Sequence, residues 1–299
     1  MKAKSFKGSS TEEIEKALEQ SLEDNYKPTL AFVFISIKQD IDRVCQLFDQ
    51  RGIAIFGATS CNEFIDGEIE SGSIVVLLLD MDPAHFFILF EDYRDQDVLA
   101  LARSMATKAK DQFRNPVFLI SLGIEVANAA GLGEPVLRAI EAVAGKDVVI
   151  WGGRAGDDFM FTESIVFTNQ RYSKRGILLL VLDGDKIQVA GQAASGQISV
   201  GTEKTITKAN DNWIYEIDNQ PATDMIIKFL GLDLTPEEAR TFLAPFILFS
   251  LSRDKGDPVM RSLGQFNWQT KAIVNLGNIK QGEKIRLTLP PDFEIVEVV

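Results

Sequence analysis

Short runs that are apolar at nearly every position recur along this chain: Leu30–Ile35, Ile53–Phe56, Ile74–Leu79, Phe86–Phe90, Val117–Ile120, Val148–Trp151, Ile177–Leu182 and Ile187–Ala190. Each is rich in β-branched or aromatic residues and too short for a helix of ordinary length, so each reads as a strand. A strand without polar alternate positions has to be covered on both faces. The chain therefore needs helices to lie on its sheet, which excludes a sheet with one face in water.

The helices are present. Ser10-Thr-Glu-Glu13 is a capping box, followed by Ile14, Ala17, Leu18 and Leu22 on one face. A second stripe holds Ile41, Val44, Cys45 and Phe48 and stops at Gly52. A third runs from about Asp95 to Arg114, and a fourth opens with Pro135 in its first turn and ends at Gly145. Two more are expected late, from Pro221 to a stop at Gly231 and from Thr235. Asp183-Gly184, between two apolar runs, is expected to form a type I′ hairpin turn.

The chain also matches itself. Ile53-Ala-Ile-Phe-Gly57 lies over Val148-Val-Ile-Trp-Gly152, and Asn62, Glu63 and Phe64 then fall over Asp157, Asp158 and Phe159. Upstream, Pro28 and Pro116 each precede a strand and a helix; downstream, Leu77–Asp80 falls over Leu180–Asp183. Chance recurrence of apolar strings in an α/β protein is the plain alternative, but the agreement in order favours an internal duplication. The fold class expected is α/β with mixed α+β character: an internally duplicated mixed sheet covered by helices, with a smaller C-terminal α+β region. Domain boundaries are set at 1–199, with half-repeats at about 25–92 and 113–195, and at 200–299, where the texture becomes polar and β-rich. The last residues, Phe293–Val299, read as a strand without a partner, as a truncated chain would show.

Charge narrows function. Thirty-one basic against 43 acidic side chains give a net charge of −12, which argues against nucleic acid and against an anionic membrane surface as partners. No signal-like segment follows the basic start and no apolar run reaches membrane-spanning length, so a soluble, cytoplasmic protein is expected. Two cysteines and one histidine exclude a disulfide framework and a His-rich zinc site. Asp80-Met-Asp82 and Asp183-Gly-Asp185 lack the remaining ligands of a calcium loop. No GxGxxG or GxxxxGK[ST] occurs. No metal and no cofactor is expected.

The two loops after the matched strands are the best place for a site, because ligands collect beyond strand carboxyl ends. In the first, Gly57 permits close approach while Thr59, Ser60 and Asn62 offer neutral donors and acceptors. In the second, Gly152 and Gly153 do the same and Arg154 offers a fork for a carboxylate. Glu63 or Asp157 would hold an ammonium group, so the set suits a small zwitterion such as an amino acid. The alternative is that the glycines only turn the chain and the acids cap the next segment. Cys61, in the first loop, is a candidate nucleophile for a hydrolase, although the only histidine, His85, is expected far from it; a small buried residue is the competing role. A protein-interaction module without a small ligand is the third reading. No catalytic residue is assigned.

These residues resemble the FIST family of sensory domains. The resemblance rests on Ile55-Phe-Gly-Ala-Thr-Ser60 with Gly67-Glu-Ile69, on Trp151-Gly-Gly-Arg-Ala-Gly-Asp157, on Arg175-Gly-Ile-Leu-Leu-Leu-Val181, on Gly191 to Gly201 with Ile206–Ala209, and on Ile217-Asp-Asn-Gln-Pro-Ala222. Together these cover most of residues 25 to 225, and residues 200 to 299 resemble the first part of the family's C-terminal region. The resemblance implies ligand sensing for signal transduction, with small molecules such as amino acids as ligands. It also implies a signalling output protein or domain not in this chain, since no kinase, cyclase or methyl-accepting segment is recognisable here.

Overall fold

The structure, a computed structural model, describes residues 1–23, 25–125, 132–160, 162–191, 197–233, 238, 248–252, 258–275 and 277–289. The chain forms two compact units, Met1–Ala129 with Pro135–Gly191 and Ala130–Glu134 with Gln192–Val299.

The first unit is built from two runs of elements in the same order. β1 (Lys2–Gly8), α1 (Thr11–Ser21), β2 (Leu30–Ile35), α2 (Ile41–Asp49), β3 (Ala54–Thr59) and β4 (Ile74–Asp80) supply one sheet and its helices. β5 (Phe86–Asp92), α3 (Val98–Gln112), β6 (Pro116–Leu122), α4 (Gly133–Ala144), β7 (Ile150–Arg154) and β8 (Gly176–Asp183) supply the other. Strand order is β1-β4-β2-β3 in the first and β5-β8-β6-β7 in the second. In each, β2–β3 or β6–β7 is the parallel pair and the others are antiparallel. The register agrees as well: Ala31 lies between Ile55 and Leu78, as Phe118 lies between Ile150 and Val181. Gly57 and Gly152 thus occupy the same place, opposite Val33 and Ile120. Beyond β3 the first sheet is extended by two short strands from the second run, Val166–Phe167 and Tyr172–Ser173.

The two faces of each sheet explain the unbroken apolar runs. Ala31, Val33, Ile35, Ile55, Val76 and Leu78 pack under Ile14 and Leu18 of α1 and Val44 and Phe48 of α2. Phe118, Ile120, Leu179 and Val181 pack under Ala102, Met105 and Ala106 of α3 and Val136 and Ile140 of α4. The alternate residues, among them Leu30, Phe56, Val117, Leu178 and Leu180, meet one another between the sheets. The layers run helix, sheet, sheet, helix. Each Val, Leu, Ile, Met or Phe among them contributes about 1.5–3 kcal/mol through burial, so neither face tolerates polar alternation. Helix ends follow their local chemistry: Ser10 accepts from the Glu13 amide at 3.3 Å while the Glu13 carboxylate takes the Ser9 amide at 2.8 Å. Asp40 caps α2 through the Arg43 amide at 3.0 Å, and the chain leaves α2 through Gly52 at φ +66°.

Two expectations are corrected here. Ile187–Ala190 is not a strand, and Asp183-Gly184 is not a type I′ turn, since Gly184 lacks the positive φ. β8 already has β5 on one side and β6 on the other, so a returning strand finds no free edge; Ile187 and Val189 pack against the layer between the sheets instead. The positive-φ Asp-Gly pair is Asp66-Gly67 (φ +51° and +82°), joining the short strands Glu63–Ile65 and Glu68–Glu70. Phe86–Asp92 begins the second sheet, beside β8, and the two runs of elements in matching order open at β1 and β5.

The second unit is a ring of antiparallel strands. β9 (Ile198–Asn210), β10 (Trp213–Ile217), β11 (Leu248–Leu251), β12 (Val259–Asn267), β13 (Ala272–Asn275) and β14 (Lys284–Leu289) pair in the order β9-β14-β11-β12-β13-β10, and β10 pairs again with β9. Ile206, Ile214, Phe249, Leu263, Ile273, Ile285 and Leu287 fill it together with Ala222 and Ile226 of α5 (Ala222–Leu230). The helix expected from Thr235 and the strand expected at Phe293–Val299 lie outside the described residues.

Gly152 sits at φ +140°, and a Cβ there would overlap the carbonyl oxygen of Ile120, whereas a Cβ on Gly153 would meet nothing within 4 Å. Gly152→Ala is expected to lower unfolding free energy by at least about 2 kcal/mol, and Gly153→Ala to change it by less than about 0.5 kcal/mol. Urea midpoints of the two variants check this, and equal effects would refute the pairing of Gly152 with Ile120.

Candidate functional site

The parallel pairs β2–β3 and β6–β7 end on the same side of the first unit, and a cavity of about 470 Å³ lies there between the two sheets. Its body is apolar, made by Phe32, Phe34, Phe56, Ala58 and Leu119. The loops after β3 and β7 close its rim and touch directly. The Gly156 amide donates to the Thr59 carbonyl at 2.7 Å, the Thr59 hydroxyl donates to the Gly156 carbonyl at 2.5 Å, and the Asp158 amide donates to the Ser60 carbonyl at 3.1 Å. Gly156 is needed for this approach, because a Cβ on it would stand 2.5 Å from the Cys61 sulfur. Ser36 and Lys38, just past β2, hold the Asp158 carboxylate at 2.7 and 3.4 Å.

Of the residues singled out in the sequence, Thr59, Ser60, Gly152, Gly153 and Arg154 line the cavity; Gly57, Asn62, Glu63 and Asp157 do not. Gly57 lies inside β3, where a Cβ would overlap the Phe167 ring. Asn62 adopts φ +112° and accepts from the Ser71 hydroxyl at 2.6 Å. Glu63 is buried, taking the Ser60 hydroxyl at 2.6 Å and the amide and hydroxyl of Ser73 at 3.0 Å each. Asp157 is buried too, accepting from the amides of Thr162 and Glu163 at 2.6 and 3.1 Å and from the Thr162 hydroxyl at 3.2 Å. A buried carboxylate is stable only when donors surround it, and these two spend their oxygens fastening their own loops. The expected ammonium hosts are loop fasteners.

The sequence reading missed Ser121 and the phenylalanines. Ser121 is 5 % exposed, opens onto the cavity, and has no hydrogen-bond partner among the described residues. The signal was available, since it is the sole polar side chain in the run Val117–Leu122. Thr59 lines the wall, but its hydroxyl also accepts from the Ile165 amide at 2.9 Å, which leaves it structural. Arg154 is the one charged residue among the described residues of the wall. It exposes surface, yet neighbouring protein strips water from its guanidinium, and this desolvation lowers its pKa while Tyr93 opposes the shift.

A roomier hollow of about 530 Å³ runs along Phe90, Asp92, Arg94, Arg171 and Tyr172. Its cations are engaged: Arg94 with Asp92 at 2.8 Å, and Arg171 with the Phe90 carbonyl at 3.0 Å and over the Phe90 ring at 4.6 Å. It lacks the apolar walls of the first cavity. Among the described residues no group of three or more His, Cys, Asp or Glu is placed to hold a metal. No described helix is long and apolar enough to cross a membrane.

The cysteines differ sharply. Cys61 lines the cavity; Cys45 is core on α2, donates to the Thr168 carbonyl at 3.3 Å, and burial pushes its thiol pKa up to about 12. His85 ends the turn Pro83–His85 ahead of Phe86, whose partner Leu182 pairs with Val117 at the amino end of β6. That is the far end of the sheet from Ser121, so His85 is no base for Cys61. A disulfide-exchange reagent at neutral pH is expected to label Cys61 at least about tenfold faster than Cys45, with Cys45 reacting at the unfolding rate. Thiol labelling read by mass spectrometry checks this, and equal rates would contradict the packing of α2.

A family model for the FIST N domain matches residues 29–220, more than half of the chain. No curated protein matches the sequence. One similar solved structure is described as "Dihydroxyacetone kinase operon co-activator Dha-DhaQ"; it is 12% identical, with 59% of this chain and 72% of that chain covered and a TM-score of 0.24. At that score the likeness carries no argument. The family match begins just before β2 and takes in both corner loops and the cavity between them. This chain belongs to the FIST N domain family of sensory domains.

Proposed function

We propose that this protein is a non-catalytic, cytoplasmic sensor that takes a small ligand into the cavity between its two sheets and signals to an output protein or domain outside this chain. One observation carries the reading: both loops singled out in the sequence border a single hollow of about 470 Å³ at the carboxyl ends of two parallel strand pairs, a place where α/β proteins gather ligands. Membership of a sensory family supports it. The matched topology of the two halves supports an internal duplication as the origin of the paired corners.

Signalling requires a ligand with different affinity for two arrangements of the protein. The loop contacts Gly156–Thr59 and Asp158–Ser60 are suited to such a role, since a ligand below them either tightens or parts them. The hydrolase reading loses support because Cys61 has no histidine within the same end of the fold. A docking module without a small ligand draws support from Phe64 and Ile69, opposite one another on the Asp66-Gly67 hairpin at 78% and 73% exposure. Such a pair also suits contact with the output protein.

A thermal-shift screen of the full chain against metabolites of every charge type tests the proposal. A ligand at a hundredfold over its Kd is expected to add about 2.7 kcal/mol of stability. Ser121→Leu, which fills the cavity, is expected to abolish that gain, and Cys61→Ser to preserve it. Silence across the panel, or binding indifferent to Ser121→Leu, would overturn the reading.

A further inference from the structure

We infer that the ligand is an uncharged, largely apolar molecule with one carbonyl or hydroxyl group, its body lying against Phe32, Phe34 and Phe56 and its polar group bonded to the Ser121 hydroxyl. This rests on the cavity being the sensor's ligand site and specifies the chemistry of that same site.

Strand alternation decides which side chains the hollow receives. In β6, Phe118, Ile120 and Leu122 pack under the helices, while Val117 and Leu119 join the layer between the sheets. Ser121 follows Leu119 on that inner face and opens onto the cavity. In β2 and β3, Val33, Ile35 and Ile55 go to the helices and Phe32, Phe56 and Ala58 to the inner layer, so Phe34 falls inward too. Phe34 is 40% exposed although β2 is a central strand of its sheet. An aromatic ring left in contact with open space in that way is a surface awaiting an apolar partner.

The charged residues of the described rim are committed elsewhere. Arg154 lies opposite Leu122 in the register, which places its side chain on the helix side of its sheet. Glu63 is taken by Ser60 and Ser73, Asp157 by Thr162 and Glu163, and Asp158 by Ser36 and Lys38. A charged ligand would therefore trade its water for phenylalanine rings, at a cost an uncharged one does not meet.

Ser121 supplies the directional contact. Its residue is 5% exposed and its hydroxyl has no partner among the described residues, so it has both a hydrogen to donate and lone pairs to accept with. Across the ladders it faces Leu178 on one side and Gly153 on the other. Leu178 belongs to the packed layer, whereas a Cβ on Gly153 would meet nothing within 4 Å. The room beside the hydroxyl is over Gly153, and a single uncharged oxygen there completes a hydrogen bond that burial otherwise leaves unmade.

The test uses five probes with one phenyl body: 4-phenylbutan-2-one, butylbenzene, 3-phenylpropionate, 3-phenylpropan-1-amine and phenylalanine. Binding to the full chain is measured by calorimetry. The inference expects the ketone to bind at least about tenfold more tightly than each of the three charged probes. Ser121→Ala is expected to weaken the ketone about three- to tenfold and to leave butylbenzene within about twofold, which shows that the variant keeps its cavity. A charged probe that matches the ketone would overturn the inference and leave the ligand-sensor reading standing. So would a ketone affinity indifferent to Ser121→Ala. Failure of all five probes would overturn it as well, with the wider metabolite screen then deciding the sensor reading by itself.

Discussion

The inner faces of the two sheets bury one another, and the site exists because that burial stops short. Along most of the interface, side chains such as Leu30, Phe56, Phe90, Leu178, Leu180 and Leu182 fill the space between the layers. Near the carboxyl ends of β3, β6 and β7 the facing residues shrink to Ala58, Ser121, Gly153 and Ala155. Close packing cannot continue over residues of that size, because the backbones are held by their hydrogen-bonded ladders and cannot collapse into the gap. The cavity is thus a property of side-chain volume within a fixed frame, and its apolar character is inherited from the interface it interrupts.

Much of that frame was legible beforehand. The apolar runs Leu30–Ile35, Ile74–Leu79 and Ile177–Leu182 became central strands because nothing but burial on both faces accommodates them. The self-match between Gly57 and Gly152 agrees with the strand register. What failed was whatever depends on which strand lies beside which. The two Asp-Gly pairs make the point. Both permit a hairpin locally, but Asp66-Gly67 joins two short strands with free edges, while Asp183-Gly184 follows a strand occupied on both sides. The same limit applies to the acids. Glu63 and Asp157 follow glycine corners and look available, and only the folded chain reveals the Ser73 and Thr162 donors that claim them. Ser121 stands out in the sequence only as the one polar side chain of its apolar run, which does not say what it faces.

The two corners share a frame and differ in chemistry. Thr59 and Arg154 hold corresponding places in the register, opposite Ile35 and Leu122. Thr59 turns its hydroxyl to the neighbouring loop and fastens the rim, while Arg154 gives the wall its one charge among the described residues. Like frames thus carry unlike walls, with Phe32, Phe34 and Phe56 on one side of the hollow and Ser121, Gly153 and Ala155 on the other.

The strands Val166–Phe167 and Tyr172–Ser173 carry a consequence for how such a molecule can change over time. They come from the later half of the unit yet complete the sheet of the earlier half, with Phe167 wedged against Gly57 in its core. Neither half is therefore a self-sufficient module: severed, the first would expose a raw edge and lose a core aromatic, and the second would trail a ribbon with nothing to grip. With strands lent across in this way, the halves cannot be exchanged as separate pieces, and change costs least in the loops and wall residues that the interlock leaves free.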